Sequence, residues 1–223
     1  MSDAGKVKNG KVGNSNIEIG RYTYGYENMS IKQWGEGASL KIGSFCSIAD
    51  RLTVFLGGNH RVDWMSTFPF GHIFQDELGG TEIVGHPKSN GEIIIGNDVW
   101  IASNVTIMSG IKIGDGAVIA ANSMVVKDIA AYEIWGGNPA KKLKMRFSDE
   151  IIKSLLKLKW WEWKVGVIKK LAPRLSQAPD AKSIDELAKE AAQLSLEFSK
   201  VSERVYKLKI TMPKRVQKLF LVL

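Results

Sequence analysis

Three histidines, His60, His72 and His86, stand 12 and 14 residues apart, and the chain's single cysteine, Cys46, lies just upstream of them. Imidazoles at such positions can do two kinds of chemistry. One neutral ring can take a proton from an acceptor hydroxyl near pH 7, or three rings that converge around an open position can hold a catalytic zinc ion. Of the three, His60 has the most distinctive setting: it follows a diglycine in Gly57-Gly58-Asn59-His60-Arg61. A lone cysteine cannot close an intrachain disulfide, so nothing here calls for an oxidising compartment.

The elements that must position these residues are set by a repeat. Ile95, Ile101, Ile107, Ile113, Ile119 and Val125 recur every six residues without a break, and four residues after each comes Val99, Val105, Ile111, Ala117, Ser123 or Ile129. An α-helix would scatter residues six apart over different faces, and a plain strand would demand simple alternation. A polygonal coil satisfies the pattern: three hexapeptides make one triangular turn, the aliphatic residues stack on the axis, and successive turns pair as parallel strands roughly 4.8 Å apart. An earlier copy reads Ile42, Ile48 and Val54, which places Cys46 at an inward small position and favours a structural thiol over a catalytic one. Further upstream, Ile19 and Ile31 fit the first coils, with an irregularity before Ile42. Between Val54 and Ile95 the period lapses, and this excursion, at about 57–92, carries all three histidines with Trp64, Phe68, Pro69, Phe70 and Phe74. Long excursions from compact domains are usually functional.

At 223 residues, 44% hydrophobic and 24% charged, the composition is that of a folded protein of one ordinary domain with an appendage. The net charge of +8 suggests nucleic acid until it is mapped: Lys207, Lys209, Lys214, Arg215 and Lys218 place +5 of it in the last 18 residues, which hold no acid. Elsewhere basic and acidic residues interleave, so no nucleic-acid partner is expected. The polar N-terminus has no secretory apolar core and no long apolar run marks a membrane span, so a cytoplasmic location is expected.

The expected layout is a coil domain at 1–147, helices at 148–178, and an extra helix with a basic tail at 179–223. Ser148 can cap a helix that opens with Asp149 and Glu150 and runs through Ile151, Leu155 and Leu158 into Trp160, Trp161 and Trp163, with Pro173 ending the next helical stretch. Ser183 and Glu186 have the spacing of a capping box for a later helix. Its Ile184, Leu187, Ala191, Leu194, Phe198, Val201, Val205 and Leu208 form a narrow 3-4 seam, open either to a self-pairing coil or to packing on the body.

The segments IGSFCSIA (42–49), GGNHRVDWMSTFPF (57–70), GEIIIGNDVWIASNVTIMSGIKIGDGAVIAANSMVVKDI (91–129) and GGNPAKKLKMRF (136–147) together resemble the hexapeptide-repeat acyltransferases. The likeness is to their xenobiotic group, typified by chloramphenicol and streptogramin acetyltransferases, and also to sugar O-acetyltransferases of polysaccharide clusters. The resemblance implies a mainly β fold, a left-handed parallel β-helix with a protruding loop and C-terminal α-helices. General physics favours right-handed crossovers, so the handedness rests on the resemblance alone. It implies acetyl-CoA as donor, no metal, a homotrimer with active sites between subunits, and His60 as general base. Carried over in the same way, Asn138, Pro139, Ala140, Lys141 and Lys142 lie at the cofactor end, where a lysine can meet phosphate. Ala102 and Ala120 would let the pantetheine run close to backbone, and Lys127 joins the cofactor set. Tyr24, Asn59, Trp64 and Phe70 are the expected acceptor contacts.

Two acceptor classes compete: a hydroxyl or amine of a sugar or glycan precursor, and an antibiotic of the chloramphenicol or streptogramin type. The tail tilts the expectation to the glycan, because TMPKRVQKLFLVL joins basic residues to an apolar end and such a segment can associate weakly with an anionic membrane surface, here the inner face. Other classes left open are a zinc carbonic anhydrase-like enzyme on the same coil and a non-catalytic scaffold.

Overall fold

A computed structural model describes residues 3–211. The chain divides into two compact units, Met1–Ser148 and Asp149–Leu223. In chain order the first unit holds β1 (Lys8–Val12), β2 (Ser15–Ile19), β3 (Ser30–Lys32), β4 (Leu40–Ile42), β5 (Ser47–Ile48), β6 (Thr53–Phe55), α1 (Gln75–Leu78), β7 (Ile93–Ile95), β8 (Trp100–Ile101), β9 (Thr106–Ile107), β10 (Lys112–Ile113), β11 (Val118–Ile119), β12 (Met124–Val125), β13 (Glu133–Gly137) and β14 (Ala140–Met145). These form three sheets, ordered β1-β2-β4-β7-β10, β14-β13-β11-β8-β5 and β12-β9-β6-β3. The chain visits them in rotation, as the six-residue period requires. Pairing between coils is parallel, for example Ile101 with Ile48 above and Ile119 below, and among the described strands only the terminal pairs β1–β2 and β13–β14 are antiparallel.

The repeat aliphatics line the axis. Ile95, Ile101, Ile107, Ile113, Ile119 and Val125 are each at most 2% exposed, and Cys46 is fully buried beside them. Each such side chain is worth about 1.5–3 kcal/mol of burial. Ile19 pairs with Ile42 and Ile31 with Val54, so the first coil is in register and the irregularity falls in the corner after β3. The corners follow a second six-residue period that the aliphatics conceal. Asp98, Asn104, Gly110, Gly116 and Asn122 all adopt left-handed backbone, and these residue types tolerate it best. One corner is tighter still: a Cβ on Gly43 would lie 2.5 Å from the Gly96 carbonyl oxygen, so coils stack there only without side chains.

In the second unit, α2 (Asp149–Leu158) begins directly after Ser148 with two acids in its first turn. It was expected to continue through the tryptophans, but Lys159 turns left-handed (φ 44°) and Trp160–Glu162 form a 3-10 turn that buries Trp161. Pro173 lies inside α3 (Val165–Leu175) instead of ending it, two residues before its close, so the donor it lacks and the crowding of its ring against the preceding turn fall at the helix end. The last helix, α4 (Ala181–Thr211), starts earlier than the Ser183 cap predicted. Its capping box runs from Asp180, which accepts the Ser183 N–H at 2.8 Å while the Ser183 hydroxyl accepts the Asp180 N–H at 3.0 Å. The seam is occupied within this unit over its first half: Leu187 and Ala191 pack with Val167 and Leu171 of α3, joined by Leu194 and Phe198. Val201 is exposed, and the side chains of Val205 and Leu208 lie outside the described residues. So does the segment 212–223, on which the expectation of membrane-surface association rests. Among the described residues no helix is long and apolar enough to cross a membrane.

Candidate active site

The excursion leaves the coil after β6 and returns at β7, so both of its ends meet at one corner of the coil. Three sets of contacts pin it there. The first explains the diglycine. Glu36 and Trp34, from the corner after β3, sit so close that a Cβ on Gly57 would lie 2.1 Å from the Glu36 carboxylate and one on Gly58 2.3 Å from the Trp34 ring. Glu36 accepts the N–H of Gly58 at 2.5 Å and of Trp34 at 2.8 Å. Burial pushes its carboxyl up, but the amides of Gly58, Glu36 itself and Trp34 overcome that and hold it below the ordinary glutamate range. Secondly, Asn59 and Lys88 exchange backbone hydrogen bonds of 2.9 and 2.8 Å across the neck of the loop. Thirdly, the buried hydroxyl of Ser109, which follows β9, accepts the Asn59 Nδ2–H at 2.9 Å and the Asn90 N–H at 3.1 Å. One coil side chain therefore ties both strands of the neck.

His60 emerges directly above this clasp. Its Nδ1 lies 2.7 Å from the Thr67 carbonyl oxygen, an atom that can only accept, so Nδ1 carries the proton. In the neutral ring Nε2 is then the unprotonated nitrogen, the form a general base needs. The His86 ring packs edge to face on the His60 ring, with centroids 4.8 Å apart and planes at 85°. Both His86 nitrogens are buried without a hydrogen-bond partner, and desolvation first, then the fields of His60, His72 and Arg61, lower its pKa. Trp64 is 6.2 Å from His86 and lies under the Arg61 guanidinium at 4.7 Å. Arg61 in turn makes two bonds to Asp63, which, chiefly for that reason, is held down to about 2. Phe70 is exposed on the same loop and packs against Phe68 with ring centroids 4.8 Å apart and planes tilted by 58°.

Below the clasp runs an open groove lined by Asn59, Asn90, Ser109, Gly110, Lys127 and Asp128. It brings Lys127 and Asn59 together, Lys127 lying one coil beneath Ser109 by strand register. The remaining expected donor contacts belong to another corner. Ala102 and Ala120 follow β8 and β11, and the register continues the ladder to Gly136, whose added Cβ would lie 3.1 Å from that of Ala120. The Asn138–Pro139 turn joins β13 to β14 on the same sheet. There Lys141 is exposed, whereas Lys142 bonds Glu133 at 2.8 Å and Ala140 is buried in the core, able to offer a ligand only its backbone. Tyr24 bridges to Ser47 on this sheet too, 62% exposed, in the outward column that also holds Trp100. Within one chain His60 and this ladder of small residues thus occupy different corners of the coil. Among the described residues no three His, Cys, Asp or Glu side chains are grouped to hold a metal ion.

Comparison with known proteins agrees with this architecture. A family model described as bacterial transferase hexapeptide (six repeats) matches residues 92–127. A chloramphenicol acetyltransferase of Klebsiella aerogenes is 42% identical over 184 residues, which cover 77% of this chain and 87% of the relative. The chain belongs to the hexapeptide-repeat acetyltransferase family. This acetyltransferase is also 42% identical to a virginiamycin A acetyltransferase of Staphylococcus aureus over 172 residues, 72% of this chain and 77% of the relative. A solved structure of a hexapeptide-repeat acetyltransferase from Vibrio cholerae, complexed with acetyl coenzyme A, shows 27% identity and a TM-score of 0.44 over 59% of this chain and 61% of that one.

Ser109, Glu36 and Thr67 were not among the sequence-derived site residues, and His86 entered only as a possible zinc ligand. Apart from the bond between Glu36 and Trp34, their contacts span 7 to 50 residues along the chain, as Thr67 with His60 and Ser109 with Asn59 show, so no local period marks them.

Proposed function

We propose that this enzyme transfers an acetyl group from acetyl-CoA to a hydroxyl of an antibiotic of the chloramphenicol or streptogramin type, with His60 as the general base. The observation that carries the mechanism is the Nδ1 contact of His60 with the Thr67 carbonyl, which fixes the tautomer and leaves Nε2 to accept a proton. The acceptor hydroxyl gives its proton to Nε2 as its oxygen bonds to the acetyl carbon, and the same nitrogen returns that proton to the departing sulfur. No covalent acyl-enzyme is required. The coenzyme is a co-substrate whose thioester supplies the acetyl group. The Ala102–Ala120–Gly136 ladder suits its pantetheine arm, since side chains there rise no further than a methyl, and the exposed Lys141 suits a phosphate.

Because His60 and that ladder lie on different corners of one coil, the reading includes a left-handed coil assembled as a trimer, the base of one subunit facing the ladder of the next. The relatives' names move the acceptor away from the sugar that the tail favoured. A thiol-release assay with acetyl-CoA tests this against chloramphenicol, virginiamycin and a panel of nucleotide sugars. Turnover confined to the antibiotics is expected. Turnover confined to the sugars would overturn the acceptor reading.

A further inference from the structure

His86 plays no part in the chemistry described above, yet it makes the closest ring contact that His60 has. Its edge-to-face packing at 4.8 Å and 85° restrains the plane of the His60 ring, a torsion that is otherwise broad for an imidazole. The Thr67 carbonyl holds one nitrogen of that ring, and one hydrogen bond still lets the ring swing about the bonded atom. The carbonyl holds one atom of the ring and the His86 ring packs against its body, so together they restrict the direction of Nε2 more than either does alone.

The chemistry of His86 itself fits a brace and not a proton carrier. Both of its nitrogens are shielded and unpartnered, so neither can pass a proton to His60, to the acceptor or to water. A charged ring at this position would oppose the reaction, because His60 becomes positive as it takes the acceptor proton. The partner on Nδ1 of His60 is a neutral carbonyl and supplies no compensating negative charge. Burial lowers the pKa of His86, and the fields of His60, His72 and Arg61 act in the same sense.

We infer that His86 is a positioning residue that orients the His60 base through the packing of its aromatic ring, its nitrogens taking no part. This rests on His60 being the base. It predicts that ring shape at position 86 matters and that the nitrogens do not. With acetyl-CoA and chloramphenicol, His86→Phe is expected to keep kcat within about twofold. His86→Ala is expected to lower kcat about tenfold or more, as small misplacements of reacting groups do, with the KM for acetyl-CoA unchanged. His86→Leu keeps volume without a ring edge and should behave like alanine, which covers the case in which the alanine cavity unsettles the loop. In a His60→Ala background the His86→Ala change should cost nothing further.

A readout independent of any acceptor is the 15N spectrum of the His60 ring in histidine-labelled enzyme. A single Nδ1–H tautomer is expected in the parent and in His86→Phe, and tautomer averaging in His86→Ala and His86→Leu. The inference is overturned if His86→Phe falls as far as His86→Ala, if His86→Ala is indistinguishable from the parent, or if its cost persists without His60. Should His60→Ala alone retain full turnover, the base assignment fails instead, and the ring spectrum still decides whether His86 orients it.

Discussion

Ile101 in the coil and His60 in the loop are held by different means. Ile101 is fully buried between Ile48 and Ile119, its equivalents one coil above and below, and each of those is buried in the same way. His60 is exposed, and its direction is set by one carbonyl, one neighbouring ring and a neck pinned by Ser109 and Glu36. The coil spreads its stability over many interchangeable contacts. The loop concentrates its geometry in a few that cannot be exchanged. Stability and catalysis should therefore separate by region when single residues are changed.

The largest effect on stability is expected in the coil. Ile101→Ala removes a fully buried side chain from a close-packed axis and should cost about 3 kcal/mol in urea unfolding, while kcat per folded enzyme stays within twofold. A loss of activity without loss of stability would break the separation. Next is Gly58→Ala in the neck. Its φ of 76° and a Cβ only 2.3 Å from the Trp34 ring force the loop to move, so kcat should fall about tenfold with a smaller change in unfolding midpoint. Unchanged kcat would mean that the neck does not set the base.

The smallest effect concerns Cys46. Burial pushes its thiol from 9.0 up to about 12, so the folded state keeps a proton that the unfolded chain gives up over that window. The stability linked to this proton is complete below pH 9 and is lost as pH rises towards 12. Cys46→Ala should accordingly show an alkaline stability slope shallower by one proton than the parent. Parallel slopes would show that the thiol ionises in place.

What the sequence revealed follows the same division. The axis residues, the inward Cys46, the excursion and His60 were legible because a six-residue period and a motif carry them. The period of Asp98, Asn104, Gly110, Gly116 and Asn122 was equally present but masked, since Phe45 and Arg51 adopt the same left-handed backbone without the residue type that announces it. Lys159 ended a helix by the same unmarked route. The Asp180 cap was displaced by three residues because Ser183 reads as a cap from either side of a reciprocal pair. Ser109 was invisible for a stronger reason, since it works through partners at long range. His86 was visible as a histidine whose spacing suggested zinc, while its packing on His60 26 residues away left no local mark.

The central claim is that His60, held by this clasp, is the base. The most direct test is kcat of His60→Ala with acetyl-CoA and the preferred antibiotic, measured beside its urea unfolding curve. The account predicts a fall of about a hundredfold to ten-thousandfold with the unfolding curve overlaying that of the parent. Near-parental turnover in a fully folded variant would contradict it.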